Sequence, residues 1–591
     1  MKHLGKRLKN IFWLCRPFWK YAACYSVLFL LTAVLEPIDD FFYVYFPKEI
    51  VDLLAVKKSF WYIATFAAIV CTIIFIKNII PLVLHPYFQR KITEVEFKIK
   101  QDIYKKAIST DYKYIDNPEY YDKYAWAINE YAEQSISAIE FVKTFFQHAM
   151  SVTMLFTMFA AIGPWLIPIE IIQMFLHSKI DFIRNKMHIK YKQELVPVKR
   201  RFAYFHRLFY QNEYAADIKS TLVGEKIMDK YDANEDEILS IVRRFAKKMT
   251  VYSILHEVTF VLTEITIICY IVYNITVGNI AEVGLYIMMI FAFYRGDSKL
   301  RELIELVTGA DELSLNAEKL KEFFDIESKI EPSTCGKLLL EEDAFSVELK
   351  NVSFAYDNSA FSLSHINLSI KPGEKIAIVG ENGAGKSTLV KLLLRLYDVV
   401  QGEILINGSK ISDYNIKELR KKIGVAFQKP LVYAMTLEEN ISLYGDIPAS
   451  DIDAICEKLG LFYIFEKSGT NRKTELTKEF DSEGIMLSGG EVQKIALARI
   501  MAGKFGLLIL DEPSSALDPI SEYKMNELIL GEANKTTTIM IAHRLSTVRD
   551  ADKIVLVENG TIQEYGTHDE LIELKGRYYE MFTKQAEKYL E

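Results

Sequence analysis

The stretch Gly380-Glu381-Asn382-Gly383-Ala384-Gly385-Lys386-Ser387-Thr388 follows the apolar run Lys375-Ile-Ala-Ile-Val379 and opens the helical run Thr388 to Leu396. A glycine-rich loop ending in Lys-Ser between a strand and a helix is the context a phosphate-binding loop needs. Its glycines let backbone N–H groups turn inward on phosphates at a helix N-terminus, Lys386 adds a mobile positive charge, and the Ser387 hydroxyl is a ligand for Mg²⁺. The strand-like segment Val347 to Phe354 frames the same motif from the N-terminal side.

Three further segments follow in order. Leu507 to Leu510 are consecutive apolar residues ending in Asp511 and Glu512, the pattern of a central parallel strand whose C-terminal end meets the ligand. Asp511 is placed to hold Mg²⁺ through water and Glu512 to orient or deprotonate an attacking water. The alternative for this Asp-Glu pair is a helix N-cap, which Pro513 favours. A third apolar strand, Thr538 to Ala542, is followed by His543, whose imidazole is expected at the terminal phosphate. Ser488-Gly489-Gly490-Glu491 opens a helix with Val492, Ile495, Ala496 and Ile500 on one side, and reads either as exposed backbone donors at a positive helix end or as an N-cap with flexible glycines.

The chain has 591 residues, several domains' worth, and is 50% hydrophobic. The apolar excess lies before about residue 300, and beyond about residue 345 the composition is that of a soluble domain. A net charge of -7 offers no basic face for nucleic acid. The six cysteines are scattered without close pairs, so neither a zinc site nor a disulfide framework is indicated.

A spanning helix needs about 20 mostly apolar residues to cross a hydrocarbon core of about 30 Å. Six segments meet this, near 21 to 46, 59 to 84, 142 to 163, 165 to 183, 251 to 275 and 281 to 300. Lys2, Lys6, Arg7, Lys9, Arg16 and Lys20 precede the first, while Gly163-Pro164-Trp165 and Asn274 to Ala281 carry no Lys or Arg, which puts the N-terminus in the cytoplasm. The charged stretches 85–141 and 184–250 are expected to project into the cytosol as helical extensions.

The first apolar run, Ala22 to Leu35, is too short to cross alone, so its helix must continue through Glu36, Asp39 and Asp40 to Phe46. The i, i+3, i+4 spacing sets these acids on one face, and an insertion scale charges about 2.5 to 3.5 kcal/mol for an Asp-like residue at mid-membrane. They are expected either to line a polar path favouring cationic cargo or to form structural ion pairs, with Lys77, Arg295 and His148 as available partners; Glu170, Glu257 and Glu264 add to the acidic side.

Together these motifs resemble the ATP-binding cassette transporters, specifically exporter-type half-transporters. The resemblance covers the whole chain and implies a six-span α-helical transmembrane domain followed by an α/β P-loop NTPase cassette with a helical signature subdomain. The boundaries are a cytoplasmic segment 1–20, a membrane domain 21–310, a linker 311–344 and a cassette 345–591. In that family Tyr356 matches the aromatic that stacks on adenine and Gln428 the glutamine joining Mg²⁺ to the membrane part. Glu483-Gly484 matches the stretch contacting the coupling helices, and Ser515 to Asp518 the D-loop. Coupling helices are expected near Ile115 to Asp122 and Glu213 to Asp217.

The resemblance also implies ATP and Mg²⁺ as cofactors, catalysis by Glu512, His543 and Lys386, and a site completed by the Ser488 to Glu491 signature of a partner. That partner is a second copy or a homologous half-transporter. One departure is Glu491, where the family usually has Gln. The expected activity is ATP-driven export of a peptide, drug-like or lipid substrate across a bacterial inner membrane, with a preference for cationic peptides. The alternatives are an ATP-gated channel or regulatory subunit, against which the intact Glu512 stands, and half of a heterodimeric exporter. Soluble ATPases of DNA repair or translation are contradicted by the spans.

Overall fold

The computed structural model describes residues 2–162, 166–276, 283–331, 336–337, 343–356, 362–462, 473–512, 536–542, 548–549 and 551–590. They form two compact units, one of Met1–Lys106 with Tyr121–Asp325, the other of Ala107–Tyr120 with Ile326–Glu591.

The first unit is helical. Helix α1 (Lys2–Tyr21) carries the N-terminal basic residues, and a bend of 117° at Ala22 leads into α2 (Ala23–Leu31). A short 3-10 turn (Thr32–Val34) tightens the chain before Pro37, and α3 (Leu35–Ala55) then carries the acids of the first span. Helix α4 (Phe60–Ile108) is 49 residues long, about 74 Å at 1.5 Å per residue, more than twice the hydrocarbon thickness. Its first half is apolar and exposed, and its second half is charged, so one helix is long enough both to cross a bilayer and to extend beyond it.

The 109–120 turn holds the one-turn helix α5 (Tyr112–Ile115), after which α6 (Pro118–Ile162) returns. Asn117 caps α6 through its Oδ1, which accepts the Glu119 N–H at 2.9 Å. Helices α7 (Leu166–Tyr210), α8 (Asn212–Ser220), α9 (Val223–Thr276) and α10 (Val283–Phe324) complete the unit. Leu195 and Val198 of α7 pack on Ile241 and Phe245 of α9.

By length and apolarity alone, two of the described helices qualify as spans, with a third if the bent α1–α2/α3 pair counts as one. The other expected spans lie on long helices whose hydropathy is diluted by buried polar side chains. These are His148 on α6, Gln173, His177 and Asp181 on α7, and Asp297 and Lys299 on α10. Some of these polar groups pair with one another: Gln173 Nε2 donates to Asp297 Oδ1 at 2.9 Å, Arg301 pairs with Asp297 at 2.6 Å, and the His177 ring stacks 4.0 Å from His256. Helix α10 runs unbroken to Phe324, well into the 311–344 stretch expected as linker. The expected outer loops at 163–165 and 277–281 lie outside the described residues.

The second unit is built on two sheets. Strands β1 (Val347–Phe354), β2 (Leu363–Ile370), β4 (Gln401–Ile406) and β5 (Ser409–Lys410) form an antiparallel sheet of order β2-β1-β4-β5. Strands β3 (Lys375–Val379), β6 (Ile423–Ala426), β7 (Leu507–Asp511), β8 (Thr537–Ile541), β9 (Lys553–Glu558) and β10 (Thr561–Gly566) form the other, of order β10-β9-β3-β8-β7-β6. In the second sheet only β10 is antiparallel. The strand β1, which precedes the phosphate loop in the chain, therefore belongs to a different sheet from β3. The central strands β3 and β7 are buried nearly end to end, as continuous apolar runs require. A second core of Leu437, Ile441, Ile452, Ile495 and Leu497 holds the helical subdomain that carries Ser488.

Residues 107–120 belong to this unit because Asp111 ties them in. Its buried carboxylate accepts the backbone N–H groups of Lys329, Ile330 and Glu331 at 2.8 to 3.0 Å, and its own N–H donates to Ser328 Oγ. Glu331 in turn receives Arg420, which also donates to the carbonyls of Leu394 and Arg395.

Candidate functional site

The phosphate loop joins β3 to α11 (Lys386–Leu393), with Gly385 at φ 106° as its N-cap. Glycine is required at both ends of the loop: a Cβ on Gly380 would lie 2.1 Å from the Val557 carbonyl oxygen, and one on Gly385 2.8 Å from that of Ser362. Lys386 is buried and bridges the loop, its Nζ donating to the carbonyls of Gly380 and Glu381 at 2.8 and 2.9 Å. Burial holds its ammonium below the usual lysine range, while Glu512 and Asp511 act in the opposite sense. Asn382 and Ser387 are exposed on the loop, Ala384 is buried beneath it, and Glu381 is held by Arg577 at 2.8 Å.

Because β8 lies between β3 and β7, all three parallel strands deliver their C-terminal ends to the same edge. Asp511 closes β7, and Glu512 follows in the left-handed region at φ 49° with its N–H bonded to the Ile541 carbonyl. This strained turn at a strand end lies where function stores strain. Gln428, two residues beyond β6, donates its Nε2 to Glu512 Oε2 at 2.9 Å. The structure thus brings Gln428 and Glu512 together across residues distant in sequence. His543, Pro513 and Ser515 to Asp518 lie outside the described residues.

Tyr356 is half-buried at the end of β1, its hydroxyl 3.2 Å from Thr388 Oγ1 and its ring packed edge-on to Phe354 and Tyr397. Ser488 is the N-cap of the helix Gly489–Ala502, and its hydroxyl accepts the Glu491 N–H. The Glu491 carboxylate reciprocates, accepting the Ser488 N–H at 2.6 Å and its hydroxyl at 2.8 Å. This capping box gives Glu491 a local role that the departure from Gln concealed.

In the helical unit, Asp39 pairs with Lys77 and Asp40 with Arg295, two of the partners available by sequence. Glu36 pairs with Lys299 instead of His148, whose ring stands beside Glu302. Asp40 is fully buried, so all three acids occupy ion pairs within the chain. Glu264 accepts from Tyr294, Glu257 is exposed, and the Glu170 side chain lies outside the described residues. Sequence reasoning missed Lys299, at the very end of the last apolar segment, and Glu302, just beyond it. It also missed Gln173, His177 and Asp181, although their i, i+4, i+8 spacing in an apolar run is a legible polar stripe.

The fold and this edge define a membrane-helical unit joined to a P-loop ATPase cassette. Residues 363–515 match the ABC transporter family. The subtilin transport ATP-binding protein SpaT of Bacillus subtilis is 28% identical over 600 residues, covering 100% of this chain and 95% of that protein. The putative multidrug export ATP-binding/permease protein YgaD of Bacillus subtilis is 40% identical over 248 residues, 40% of this chain and 41% of that protein. A solved structure of a bacterial Atm1-family ABC exporter with ATP bound shares the fold at TM-score 0.74 and 20% identity, over 96% of this chain and 98% of that one. Residues 363–515 thus form an ATP-binding, ATP-hydrolysing cassette of the ABC transporter type, and the chain as a whole has the fold of an exporter-type half-transporter, a multi-pass membrane protein whose cassette is coupled to transport.

Proposed function

We propose that this chain exports a peptide, drug-like or lipid molecule from the cytoplasm of a bacterium, working as a homodimer in the cytoplasmic membrane. The observation that carries the reading is the Gln428–Glu512 hydrogen bond at the sheet edge that also presents the phosphate loop. It sets a candidate base and a candidate sensor side by side. Peptide cargo is favoured by the full-length similarity to a protein named for subtilin transport.

In this reading Tyr356 stacks on adenine, and the backbone N–H groups of Gly380 to Thr388 cradle the phosphates. Lys386 exchanges its two carbonyl acceptors for phosphate oxygens. Ser387, Gln428 and Asp511 offer hydroxyl, amide and carboxylate oxygens, the hard donors Mg²⁺ prefers, and so fit the ion. When bound, Mg²⁺ neutralises charge on the β- and γ-phosphates. Glu512 accepts the proton of the attacking water while Gln428 fixes its other oxygen, and His543 orients the terminal phosphate.

Each chain has one phosphate loop and one Ser488 to Glu491 signature, so two copies complete two sites. ATP closes the pair and biases the membrane helices outward, and hydrolysis resets them. The test is ATP hydrolysis by the chain purified alone into lipid discs. Turnover should fall about a hundredfold or more in Glu512→Gln, the scale on which a general base contributes. A silent wild-type protein that is folded and binds ATP would overturn the homodimer.

A further inference from the structure

Glu36, His148 and Glu302 come from three different helices, α3, α6 and α10, yet their ligating atoms lie within 4.8 Å of one another. The Lys299 ammonium sits among them, donating to Glu36 and, at 3.0 Å, to Glu302 Oε2. Lys299 is 3% exposed, so this tethered cation is well removed from water. His148 is 6% exposed, and its Nδ1, 3.4 Å from Glu302 Oε2, has no hydrogen-bond partner. An unpartnered buried ring nitrogen costs about 1 to 3 kcal/mol, so the arrangement holds a hydrogen-bonding group in reserve.

His148 and Glu302 form the inner end of a cleft of about 580 Å³ between α6 and α10. The cleft extends from the last-span end of α10 to the cytoplasmic extensions of both helices. Its wall carries Glu140, Glu302, Glu305 and Glu312, and no Lys or Arg lines it. Arg184 and Lys192 of α7 neutralise Glu305 and Glu312, whereas Glu140 has neither an ion pair nor a hydrogen bond among the described residues. Lys143, on the same helix, lies over the Phe29 ring at 4.5 Å. Carboxylates therefore outnumber cations along this surface, and the surplus lies where a solute from the cytosol would enter.

We propose that this cleft is the cargo's cation site: a primary ammonium of a basic peptide enters past Glu140 and displaces Lys299 from Glu36 and Glu302, with His148 Nδ1 accepting one of its hydrogens. An organic ammonium replaces the resident ammonium like for like and needs no new ligand geometry. The inference rests on the export reading and adds the site and the chemistry it selects. Lys299 acts as the internal competitor that keeps the two carboxylates paired when cargo is absent, because an unpaired buried carboxylate is costly.

The test measures binding of a fluorescent peptide carrying three lysines, and of its glutamine counterpart, to the full chain in lipid discs without nucleotide. The lysine peptide should bind at least tenfold tighter, and Glu302→Gln should abolish that preference. Glu140→Gln, at an exposed position that tolerates substitution, should weaken binding about threefold, and Lys299→Gln should tighten it. Glu512→Gln should leave binding unchanged, since it alters only turnover. Equal binding of the two peptides, or a preference untouched by both Glu302→Gln and Glu140→Gln, would overturn the site. So would displacement of the bound peptide by micromolar Zn²⁺ or Mn²⁺ with no effect of Lys299→Gln, which would mark a metal site instead. Peptide binding of the expected pattern without stimulated ATP hydrolysis or transport would leave the cation site standing and remove the export reading.

Discussion

Glu491 occupies a position where charge and geometry pull in opposite directions. Its carboxylate closes the capping box with Ser488, which stabilises the helix Gly489–Ala502. The same carboxylate sets a negative charge at the helix end proposed to face the partner's ATP. Glutamine preserves the box, because its side-chain oxygen still accepts the Ser488 N–H, and removes the charge. Glu491→Gln should therefore lower the KM for ATP about fivefold, the effect of about 1 kcal/mol of Coulomb repulsion at a water-exposed site, with the thermal midpoint unchanged. Glu491→Ala should lose about 1 kcal/mol of helix stability with the cap. Steady-state kinetics and thermal unfolding of both variants check this, and a raised KM in Glu491→Gln would show that the acid assists nucleotide binding. The phosphate loop was legible at this scale because its residues are contiguous and each glycine answers a local steric demand. The reciprocal Ser488–Glu491 bonds were equally local, a Ser followed three residues on by Glu, yet the expected Gln drew attention to the departure rather than to the cap.

Among the elements, the segment Asp111 to Asn117 is joined to the cassette by a cluster centred on Lys391. Its ammonium lies over the rings of Tyr112, Tyr356 and Tyr397 at 5.2, 5.3 and 5.7 Å and pairs with Asp116 at 2.9 Å. Tyr397 also donates its hydroxyl to Asp116 Oδ2 at 2.6 Å. One of these rings, Tyr356, is the proposed adenine platform and another, Tyr112, is on α5, so a single ammonium touches both. Cation–π contacts contribute about 0.5 to 2 kcal/mol each and a half-exposed ion pair less than about 1 kcal/mol. Lys391→Met should keep basal ATP hydrolysis within about twofold and reduce the transport achieved per ATP by about tenfold. Asp116→Asn should have the same effect, and the double variant should be no worse than either single one, since both remove one linkage. Transport and phosphate release measured in the same proteoliposomes read the ratio; strictly additive losses would place the two residues in separate roles. Tyr356 and the segment holding Asp116 were singled out in the sequence, but their linkage through Lys391 was not legible, because Tyr112 and Lys391 are far apart in the chain and a lone lysine on a helix reads as solvated. The strands β3, β7 and β8 were legible nearly to the residue, since buried parallel strands are unbroken apolar runs. By contrast, the sheet to which β1 belongs was not legible, because its pairing is set by contacts with β2 and β4 that no local pattern encodes.

For the whole molecule, the membrane unit resolves a conflict that hydropathy alone cannot. Its spans carry acids, histidines and lysines that would be costly against lipid, and the structure pairs several of them across helices, as with Asp40 and Arg295 or Asp39 and Lys77. That several helices are membrane-spanning was readable from the apolar segments, but the partner choices were not, because the partners sit on helices separated by long stretches of chain. The same logic of incompleteness governs the cassette. A single chain presents one phosphate loop and one signature, so in the proposed homodimer each ATP is held between copies and both must be hydrolysed before the pair can part. A dimer mixing wild-type and Glu512→Gln chains retains one competent base, yet the unhydrolysed ATP at the other site keeps the cassettes closed. Random pairing of equal amounts makes about a quarter of the dimers fully wild type. Co-reconstituted protein should therefore show about a quarter of the wild-type activity per total chain, and the trapped dimers should retain one ATP after washing. An activity of about one half would mean that each site resets independently and that closure of the pair is not shared between them.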